Sequence, residues 1–291
     1  QKGDFMRVLV LGATGRLGTM LRWAWKSDET GFQPLWQGRI DATGAGWVRC
    51  DILGDPAGLA AACTRADVIL DLVGVTPASG GDMGVNTDLA LAVQRAAGGR
   101  PHLVASSAAV SGRAAGLCRE RDAVVPAAPY GVAKRAMERA VLAKGGPVTC
   151  LRIGNVAGAD AILGQARRGL SGPPAAAMVL DQFPDGSTPR RSYIGPATLA
   201  RVLADLCRAA GKGRAVPHIL NIAAPGTVEM GELLAAAGHP WTPRPAAGTA
   251  IAEVALDISA LSRFTRPDPA SGAAAALVAE WRAYQEEPAP Q

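Results

Sequence analysis

A chain of 291 residues is about twice the length of a typical domain of roughly 150 residues, which predicts one large domain or a core with a smaller lobe. With 48% hydrophobic and 19% charged residues and a net charge of +5, the chain can bury a large core, and these values exclude a disordered protein. Aromatic residues make up only 4% and no run of five lysines and arginines occurs, so we expect a small acidic ligand and no nucleic acid as partner.

The five cysteines lie far apart without a C-x-x-C pair, and the chain has three histidines. This pattern disfavours a disulfide framework and a zinc site, and we expect no bound metal. The apolar runs are well short of the roughly 20 residues that a membrane helix needs, and no charged-then-apolar leader precedes the first strand. We therefore expect a cytoplasmic protein without a membrane partner.

The hydrophobic pattern predicts strands that alternate with helices along most of the chain. The predicted strands are 6–11, 33–37, 47–50, 68–73, 102–106, 148–153 and 219–222, and the predicted helices are 17–25, 59–63, 86–97, 130–143, 198–207, 229–237 and 272–284. Because a parallel connection needs a crossover that can hold a helix, this alternation predicts an α/β fold with a doubly wound, Rossmann-like parallel sheet and a small C-terminal lobe. The stretch 154–191, rich in glycine and proline, predicts loops over the sheet edge.

A glycine turn follows the first predicted strand and opens the first predicted helix. It reads Gly-Ala-Thr-Gly-Arg-Leu-Gly at 12–18. Gly12 permits the tight turn, Gly15 lets the backbone approach a pyrophosphate, and Gly18 allows close packing of the helix, whose first N–H groups hold the negative charge. The spacing differs by one residue from G-x-G-x-x-G, but its place between strand and helix favours a bound dinucleotide over a purely structural turn.

A tyrosine and a lysine four residues apart form a second motif. Tyr130 and Lys134 project from one face of their predicted helix. An ammonium near a phenol favours the phenolate, so we expect Lys134 to lower the pKa of Tyr130 from its usual value of roughly 10. The end of the predicted strand 102–106 brings Ser106 and Ser107 to the carboxyl edge of the sheet, where a serine hydroxyl can hold a substrate oxygen between itself and Tyr130. The alternative is an ordinary helix start with a solvated lysine.

These motifs and others in the same order resemble the extended short-chain dehydrogenase/reductases, the NAD-dependent epimerase/dehydratase family. The resemblance is carried by Gly-Ala-Thr-Gly-Arg-Leu-Gly (12–18), Asp-Ile (51–52), Leu-Val-Gly (72–74), Asn86, Ser-Ser-Ala-Ala-Val (106–110), Tyr-x-x-x-Lys (130–134), Leu-Arg-Ile-Gly-Asn-Val-x-Gly (151–158), Arg-Ser-Tyr-Ile (191–194) and Leu-Asn-Ile (220–222). It implies an oxidoreductase or epimerase that moves a hydride between a nicotinamide and a carbinol or carbonyl carbon. It also implies a homodimer through a four-helix contact that includes the helix of Tyr130.

The resemblance implies roles for individual residues. Tyr130 is implied as the acid/base, Lys134 as the residue that binds the nicotinamide ribose and tunes Tyr130, and Ser107 as the partner that orients the substrate oxygen. Asn155 and Arg191 match positions that hold substrate phosphates in sugar-nucleotide members, and a guanidinium suits phosphate oxygens. We expect cofactor contacts from Gly12, Thr14, Gly15, Arg16, Leu17, Gly18, Arg39, Asp51, Ile52, Leu72, Val73, Gly74, Asn86, Tyr130 and Lys134.

The end of the second predicted strand bears on the choice between NAD and NADP. An acidic residue there binds the ribose hydroxyls of NAD and repels a 2′-phosphate, whereas an arginine attracts that phosphate. From Pro34 onward no acidic residue occurs until Asp41, and Arg39 and Arg16 add positive charge. We therefore expect NADP, with NAD as the alternative.

Departures from the family pattern narrow the reaction. Sugar-nucleotide 4,6-dehydratases carry an Asp-Glu pair after the active-site serine or threonine, whereas Ala108 and Ala109 stand here, so we expect no such dehydration. The substrate is expected to be a sugar-nucleotide-like or small carbonyl compound. The alternative from another class is a non-catalytic NADP-binding sensor or scaffold, which needs none of Ser107, Tyr130 and Lys134. We expect 6–155 to form the NAD(P)-binding Rossmann domain and 156–291 the substrate-binding lobe, with 192–223 returning to the core sheet.

Overall fold

The computed structural model describes residues 5–25, 30–40, 44–112, 116–166 and 177–286. Within these ranges the strands are β1 (Arg7–Leu11), β2 (Gln33–Gly38), β3 (Trp47–Arg49), β4 (Val68–Asp71), β5 (His102–Ser107), β6 (Leu117–Cys118), β7 (Val148–Ile153), β8 (Asn155–Val156), β9 (Met178–Gln182), β10 (Arg190–Arg191), β11 (Tyr193–Ile194), β12 (Ile219–Ile222), β13 (Val228–Glu229), β14 (Trp241–Pro245) and β15 (Glu253–Leu256). The helices in the same ranges are α1 (Arg16–Ala24), α2 (Pro56–Thr64), α3 (Val85–Ala97), α4 (Pro129–Lys144), α5 (Leu163–Ala166), α6 (Pro196–Gly211), α7 (Met230–Ala237) and α8 (Ala274–Glu286). None of these described helices has the length and apolar character to cross a membrane.

Seven of the described strands form one sheet in the order β12-β7-β5-β4-β1-β2-β3. All neighbouring pairs in it are parallel. The chain order reverses between β1 and β4, so the crossovers place helices on both faces and the strands are buried from both sides. The predicted α/β fold with a doubly wound, Rossmann-like sheet is confirmed.

Successive residues of a strand pack into hydrophobic cores on opposite faces of the sheet, because strand side chains point alternately to the two faces. Val8 of β1 packs with α1 and α6, whereas the next residue, Leu9, packs with α2 and α3. Val104 of β5 packs on the second face, against α4. Each of the three is fully buried, and burying one such side chain contributes about 1.5–3 kcal/mol. His102 and Ser106 share the face of Val104 and therefore lie under α4.

The chain after β7 contributes to the main sheet and to smaller sheets. Helix α6 packs on α1, and β12 pairs with β7. Strands β13-β10-β15-β6 form a four-stranded sheet, and β8 with β11 and β9 with β14 form pairs. The prediction of loops over 154–191 is only partly right, since β8, α5, β9 and β10 fall there. These short elements pair with distant segments and carry no local periodicity. Residues 167–176 of that stretch lie outside the described residues.

Candidate active site

The glycine turn joins β1 to α1, and close packing explains its glycines. Gly12 has φ +78°, a left-handed conformation that L side chains rarely adopt. A Cβ on Gly18 would lie 2.3 Å from the Gly12 carbonyl oxygen and 2.5 Å from Ala13 Cα, so α1 reaches the turn only with glycine there. Thr14 and Gly15 are exposed at the start of α1, where unpaired helix N–H groups attract anions. The turn therefore fits the phosphates of a dinucleotide.

A cavity of about 380 Å³ lies beside the turn, within the range of roughly 300–1,000 Å³ usual for small-molecule sites. Its lining comprises Thr14, Gly15, Arg16, Thr19, Met20, Gly158, Gly164 and Tyr284. Arg16, one of these lining residues, donates through Nη1 to the Ala159 carbonyl oxygen at 3.0 Å. The Thr19 hydroxyl donates its one proton to the Arg16 carbonyl oxygen. In the 3.0 Å hydrogen bond between the hydroxyl groups of Thr19 and Tyr284, Tyr284 is therefore the donor. Helix α8 thus lines this cavity through Tyr284, a contact that the sequence pattern did not predict.

The end of β2 holds the glycine turn and bears on cofactor choice. Gln37 is buried, and its side-chain oxygen accepts the Gly12 N–H at 2.9 Å while its amide nitrogen donates to the Cys50 carbonyl oxygen at 2.7 Å. The described residues from Pro34 through the end of β2 carry no carboxylate, and Arg39 is exposed directly after it. Asp41 lies outside the described residues. Arg39 is therefore a cation that follows the end of this strand.

Three predicted cofactor residues from different elements meet beyond the carboxyl end of β4. A Cβ on Gly74 would lie 2.6 Å from Asn86 Oδ1 and 3.2 Å from Lys134 Nζ, which leaves no room for a side chain. Asn86 is buried and fixes the backbone of Val75, since it accepts the Val75 N–H and donates to the Val75 carbonyl oxygen, both at 3.0 Å. Lys134 Nζ donates to the Ala105 carbonyl oxygen at 2.9 Å. The structure therefore brings Gly74, Asn86 and Lys134 together.

The hydroxyl groups of Tyr130 and Ser107 lie close enough to interact, and this interaction lowers the pKa of Tyr130. Ser107 ends β5 at the carboxyl edge of the sheet, and its Oγ also accepts the Ala109 N–H at 3.2 Å. Tyr130 lies half-buried in the first turn of α4. The other candidate serine, Ser106, instead donates to Glu138 at 2.6 Å beneath α4. The serine–tyrosine pair can hold and protonate an oxygen atom placed at the sheet edge.

The expected lowering of the Tyr130 pKa is wrong in direction. Burial raises the pKa of Tyr130, and the interaction with Ser107 opposes this rise only in part. Burial also lowers the pKa of Lys134, against the opposing effect of nearby carboxylates. The expectation considered the attraction between ammonium and phenolate and left out the desolvation of both groups. The phenol therefore keeps its proton near neutral pH and can donate it to a carbonyl oxygen.

The remaining predicted cofactor residues lie close to the same sheet edge. They are Leu17 in α1, Asp51 and Ile52 after β3, and Leu72 and Val73 after β4. Asp51 Oδ1 accepts the N–H groups of Leu53 at 3.0 Å and Gly54 at 2.6 Å, so this carboxylate shapes the turn after β3. A Cβ on Gly12 would lie 3.2 Å from the backbone nitrogen of Val73, which shows how closely the glycine turn and the end of β4 pack.

The two predicted phosphate-binding residues lie in the smaller sheets. Arg191 is half-buried, and its guanidinium donates to the carbonyl oxygens of Ile251 at 2.9 Å and Ala252 at 3.3 Å. Burial lowers the pKa of Arg191. The Asn155 side chain lies close to the Tyr193 hydroxyl, which donates to Asp160 at 2.9 Å. None of these described contacts reaches the serine–tyrosine pair, and the role of both residues stays a prediction.

A buried ion pair beneath α4 was not singled out from the sequence. Glu138 accepts from Arg152 of β7 through both carboxylate oxygens, at 3.0 and 2.8 Å, and each side chain is 4% exposed. The four-residue spacing from Lys134 places Glu138 on the same helix face, which is the signal that could have identified it. The pair fixes α4 against the sheet and so positions Tyr130 and Lys134.

Replacing Gly18 with alanine should lower the free energy of unfolding by about 1–3 kcal/mol, because the added methyl group overpacks the turn. The variant should also bind dinucleotides more weakly, since α1 must move away from Gly12. A Cβ on Gly248 meets no atom within 4 Å, so Gly248→Ala should change stability by less than about 1 kcal/mol. Urea denaturation and NADH fluorescence titration measure both effects, and equal losses in the two variants would contradict the packing argument.

The chain matches a family model in sequence and solved structures in fold. The family model described as NAD dependent epimerase/dehydratase family matches residues 8–176, more than half of the chain. No curated protein sequence matches this chain.

Three solved structures illustrate the likeness in fold. A UDP-glucose 4-epimerase from Stenotrophomonas maltophila with bound NAD and formylated UDP-arabinopyranose has a TM-score of 0.76 and 19% identity, covering 97% of this chain and 98% of that chain. A UDP-glucose 4-epimerase from Bifidobacterium longum with NAD+ and UDP has a TM-score of 0.75 and 16% identity, covering 97% and 99%. A UDP-glucuronic acid 4-epimerase from Bacillus cereus with UDP-glucuronic acid and NAD has a TM-score of 0.74 and 17% identity, covering 96% and 99%.

At such identities the likeness establishes the fold alone. All three structures contain NAD, so they lend no support to the expected preference for NADP. The family follows from the sequence match, which includes the glycine turn, the end of β5 and the helix of Tyr130. The chain belongs to the NAD-dependent epimerase/dehydratase family.

Proposed function

We propose that the protein is an NAD(P)-dependent oxidoreductase or epimerase that moves a hydride between a nicotinamide and a carbinol or carbonyl carbon of its substrate. The observation that carries this proposal is the closeness of the Ser107 and Tyr130 hydroxyl groups at the sheet edge that also holds the glycine turn. Lys134 follows Tyr130 by one helical turn. A sensor or scaffold that only binds a nucleotide has no use for these three side chains, which disfavours that alternative.

The proposed roles of the side chains follow from their positions. A nicotinamide bound over the sheet supplies the hydride donor or acceptor. Tyr130 gives its proton to the substrate oxygen when a carbonyl is reduced, and its phenolate takes a proton back when an alcohol is oxidised. Ser107 orients that oxygen, and Lys134 binds the ribose hydroxyls. Asn86 holds the backbone of Val75, and so fixes the segment after β4 next to the proposed cofactor site.

We propose that two parts of the chain bind the cofactor and the substrate. Residues 6–155 bind the dinucleotide, and residues 156–291 form the substrate lobe, with 192–223 returning to the core. The position of β12 beside β7 and of α6 against α1 supports the return of the chain to the core.

The substrate that we propose is a sugar-nucleotide-like or small carbonyl compound. Ala108 and Ala109 offer neither an acid nor a base after Ser107, so removal of water by the 4,6-dehydratase route is not part of the proposal. A substitution of Arg191 distinguishes between the two substrate classes. If the substrate carries a diphosphate, Arg191→Ala should weaken its binding strongly, whereas binding of a small ketone or aldehyde should change little.

Arg39→Glu should separate the two dinucleotides. No carboxylate at the described end of β2 repels a 2′-phosphate, and the exposed Arg39 attracts it, so we propose NADP as the favoured cofactor and NAD as the alternative. The variant should lose about tenfold or more in affinity for NADPH and much less for NADH. Arg266→Glu makes the same charge change at a second exposed arginine and serves as control. An equal loss for both dinucleotides would contradict the proposed preference.

The activity is tested with a panel of substrates. NADH or NADPH is mixed with ketones, aldehydes and keto-sugar nucleotides while absorbance at 340 nm is followed, and UDP-sugars are incubated with NAD+ or NADP+ and analysed for epimers. We expect turnover with at least one member of the panel. Thermal shift measures nucleotide binding in parallel, and binding without turnover across the whole panel would favour the sensor.

A further inference from the structure

A buried polar layer lies between the sheet and α4, on the face opposite α1. Its members are Asp71 of β4, His102 and Ser106 of β5, Arg152 of β7, and Lys134 and Glu138 of α4, and all six are buried. The layer contains two basic side chains, Lys134 and Arg152, and two carboxylic acids, Asp71 and Glu138, and an isolated buried charge is strongly unfavourable. The pairing of these four charges therefore decides whether each can stay ionised.

One pair in the layer is already satisfied. Glu138 accepts from Arg152 through both oxygens, which compensates both charges. Lys134 Nζ contacts two neutral partners, the Ala105 carbonyl oxygen at 2.9 Å and Met137 Sδ at 3.8 Å. The ammonium of Lys134 thus still needs a compensating negative charge, and Asp71 is the remaining carboxylate of the layer.

Asp71 is fixed in position by two hydrogen bonds. Its Oδ1 accepts the Val73 N–H at 3.1 Å, and its Oδ2 lies 3.1 Å from His102 Nε2. We assign the histidine proton to Nε2, which faces the carboxylate, because Nδ1 meets no polar partner among the described residues. Asp71 pairs in register with Val104, the neighbour of Ala105 whose carbonyl oxygen binds the lysine. Asp71 and the ammonium therefore lie over adjacent strands. The ion contact that Asp71 makes within 4 Å is with His102, so its attraction for the ammonium acts at longer range.

We propose that Asp71, oriented by His102, is the counter-ion that keeps the buried Lys134 side chain charged. Asp71 is then a positioning residue, since it acts on the cofactor site through Lys134. The same carboxylate fixes the Val73 backbone, which leads into Gly74 next to the lysine. The use of the Lys134 charge to bind the ribose hydroxyls rests on the proposed function. The pairing of Asp71 with Lys134 does not rest on it.

The groups that face Lys134 from the surrounding elements support this pairing. Burial lowers the pKa of Lys134, and Asp71 is the largest of the effects that raise it, ahead of Cys150 and Glu138. Burial raises the pKa of the Cys150 thiol to about 12, so this group is neutral near pH 7. Glu138 is shared with Arg152, the β5 group that contacts the lysine is the neutral Ala105 carbonyl, and the α3 group beside it is the neutral amide of Asn86 next to Gly74. Tyr130, one turn earlier on α4, is also protonated there.

The test is an NMR pH titration of the full chain labelled with ¹³C at lysine Cε. The chain has five lysines, Lys2, Lys26, Lys134, Lys144 and Lys212, and the Lys134 signal is assigned by its loss in Lys134→Met. In Asp71→Asn we expect the proton affinity of Lys134 to fall about tenfold or more, so that it titrates at lower pH. Asp67→Asn removes the same charge just before β4, where exposed Asp67 accepts the Arg7 N–H, and should leave the titration unchanged.

A double variant keeps the proposal testable if Asp71→Asn folds poorly. Asp71→Asn combined with Lys134→Met removes both charges, so we expect a higher Tm than in either single variant. An unchanged Lys134 titration in Asp71→Asn, or additive losses of Tm in the double variant, would overturn the proposal. Neither measurement uses a nucleotide or a substrate. A chain that shows the coupling but binds neither NADH nor NADPH therefore contradicts the proposed function alone.

Discussion

Replacing Tyr130 with phenylalanine should slow turnover by about 10²–10⁴-fold, the usual contribution of a positioned proton donor. The substitution removes one hydroxyl group from a half-buried ring and leaves the ring itself in place. Nucleotide affinity and Tm should therefore stay close to those of the wild type. The measurements are kcat with the substrate found in the panel, fluorescence titration with NADH and NADPH, and thermal unfolding.

The pH dependence of the same variant sharpens this test. Burial raises the pKa of Tyr130, so the wild-type phenol is protonated near neutral pH. Oxidation of an alcohol needs the phenolate, and its rate should rise as the pH increases toward the raised pKa, whereas reduction uses the protonated form and should fall over that range. Tyr130→Phe should lose this dependence. Wild-type kcat in the variant would show that Tyr130 is not the acid/base.

Glu138→Gln should lower the free energy of unfolding by about 3–5 kcal/mol, because it leaves the Arg152 guanidinium buried without its counter-charge. Both side chains of this pair are 4% exposed, so water cannot replace the lost carboxylate. Since the pair fixes α4 on β7, the variant should also weaken the positioning of Tyr130 and Lys134, which lie on the same helix. Urea denaturation of the two proteins measures the loss of stability.

A surface ion pair provides the matched control. Asp181→Asn breaks the contact with Arg244, whose side chain is 63% exposed, and should cost only about 0–1 kcal/mol, because solvent screens this pair. Both substitutions replace one carboxylate by an amide of the same shape. Similar losses in Glu138→Gln and Asp181→Asn would contradict the assignment of α4 stability to the buried pair.

Local patterns predicted the sheet and one edge of the site. The alternation of apolar strands and helices up to β7 required a parallel sheet, and the glycine turn required close approach of α1 to β1. The four-residue spacing of Tyr130 and Lys134 placed both on one helix face, and Ser107 followed from its place at a strand end. These predictions depend on neighbours in sequence or on the shared edge of parallel strands.

Contacts between distant segments could not be read from such patterns. Tyr284 reaches Thr19 across 265 residues, and nothing local marks it. The pair of Asp71 and His102 depends on the register of β4 and β5, which the sequence does not display. The direction of the Tyr130 pKa was wrong because it depends on how far the phenol is desolvated, a property of the packed site and not of the spacing.

The most direct test of the central claim is a crystal structure of the protein with NADPH or NADH bound. We expect the pyrophosphate at the glycine turn, the ribose hydroxyls on Lys134, and the nicotinamide C4 beside Tyr130, with room for a substrate oxygen within about 3–3.5 Å of the phenol. A dinucleotide bound away from the glycine turn, or a nicotinamide directed away from Tyr130 and Ser107, would contradict the account.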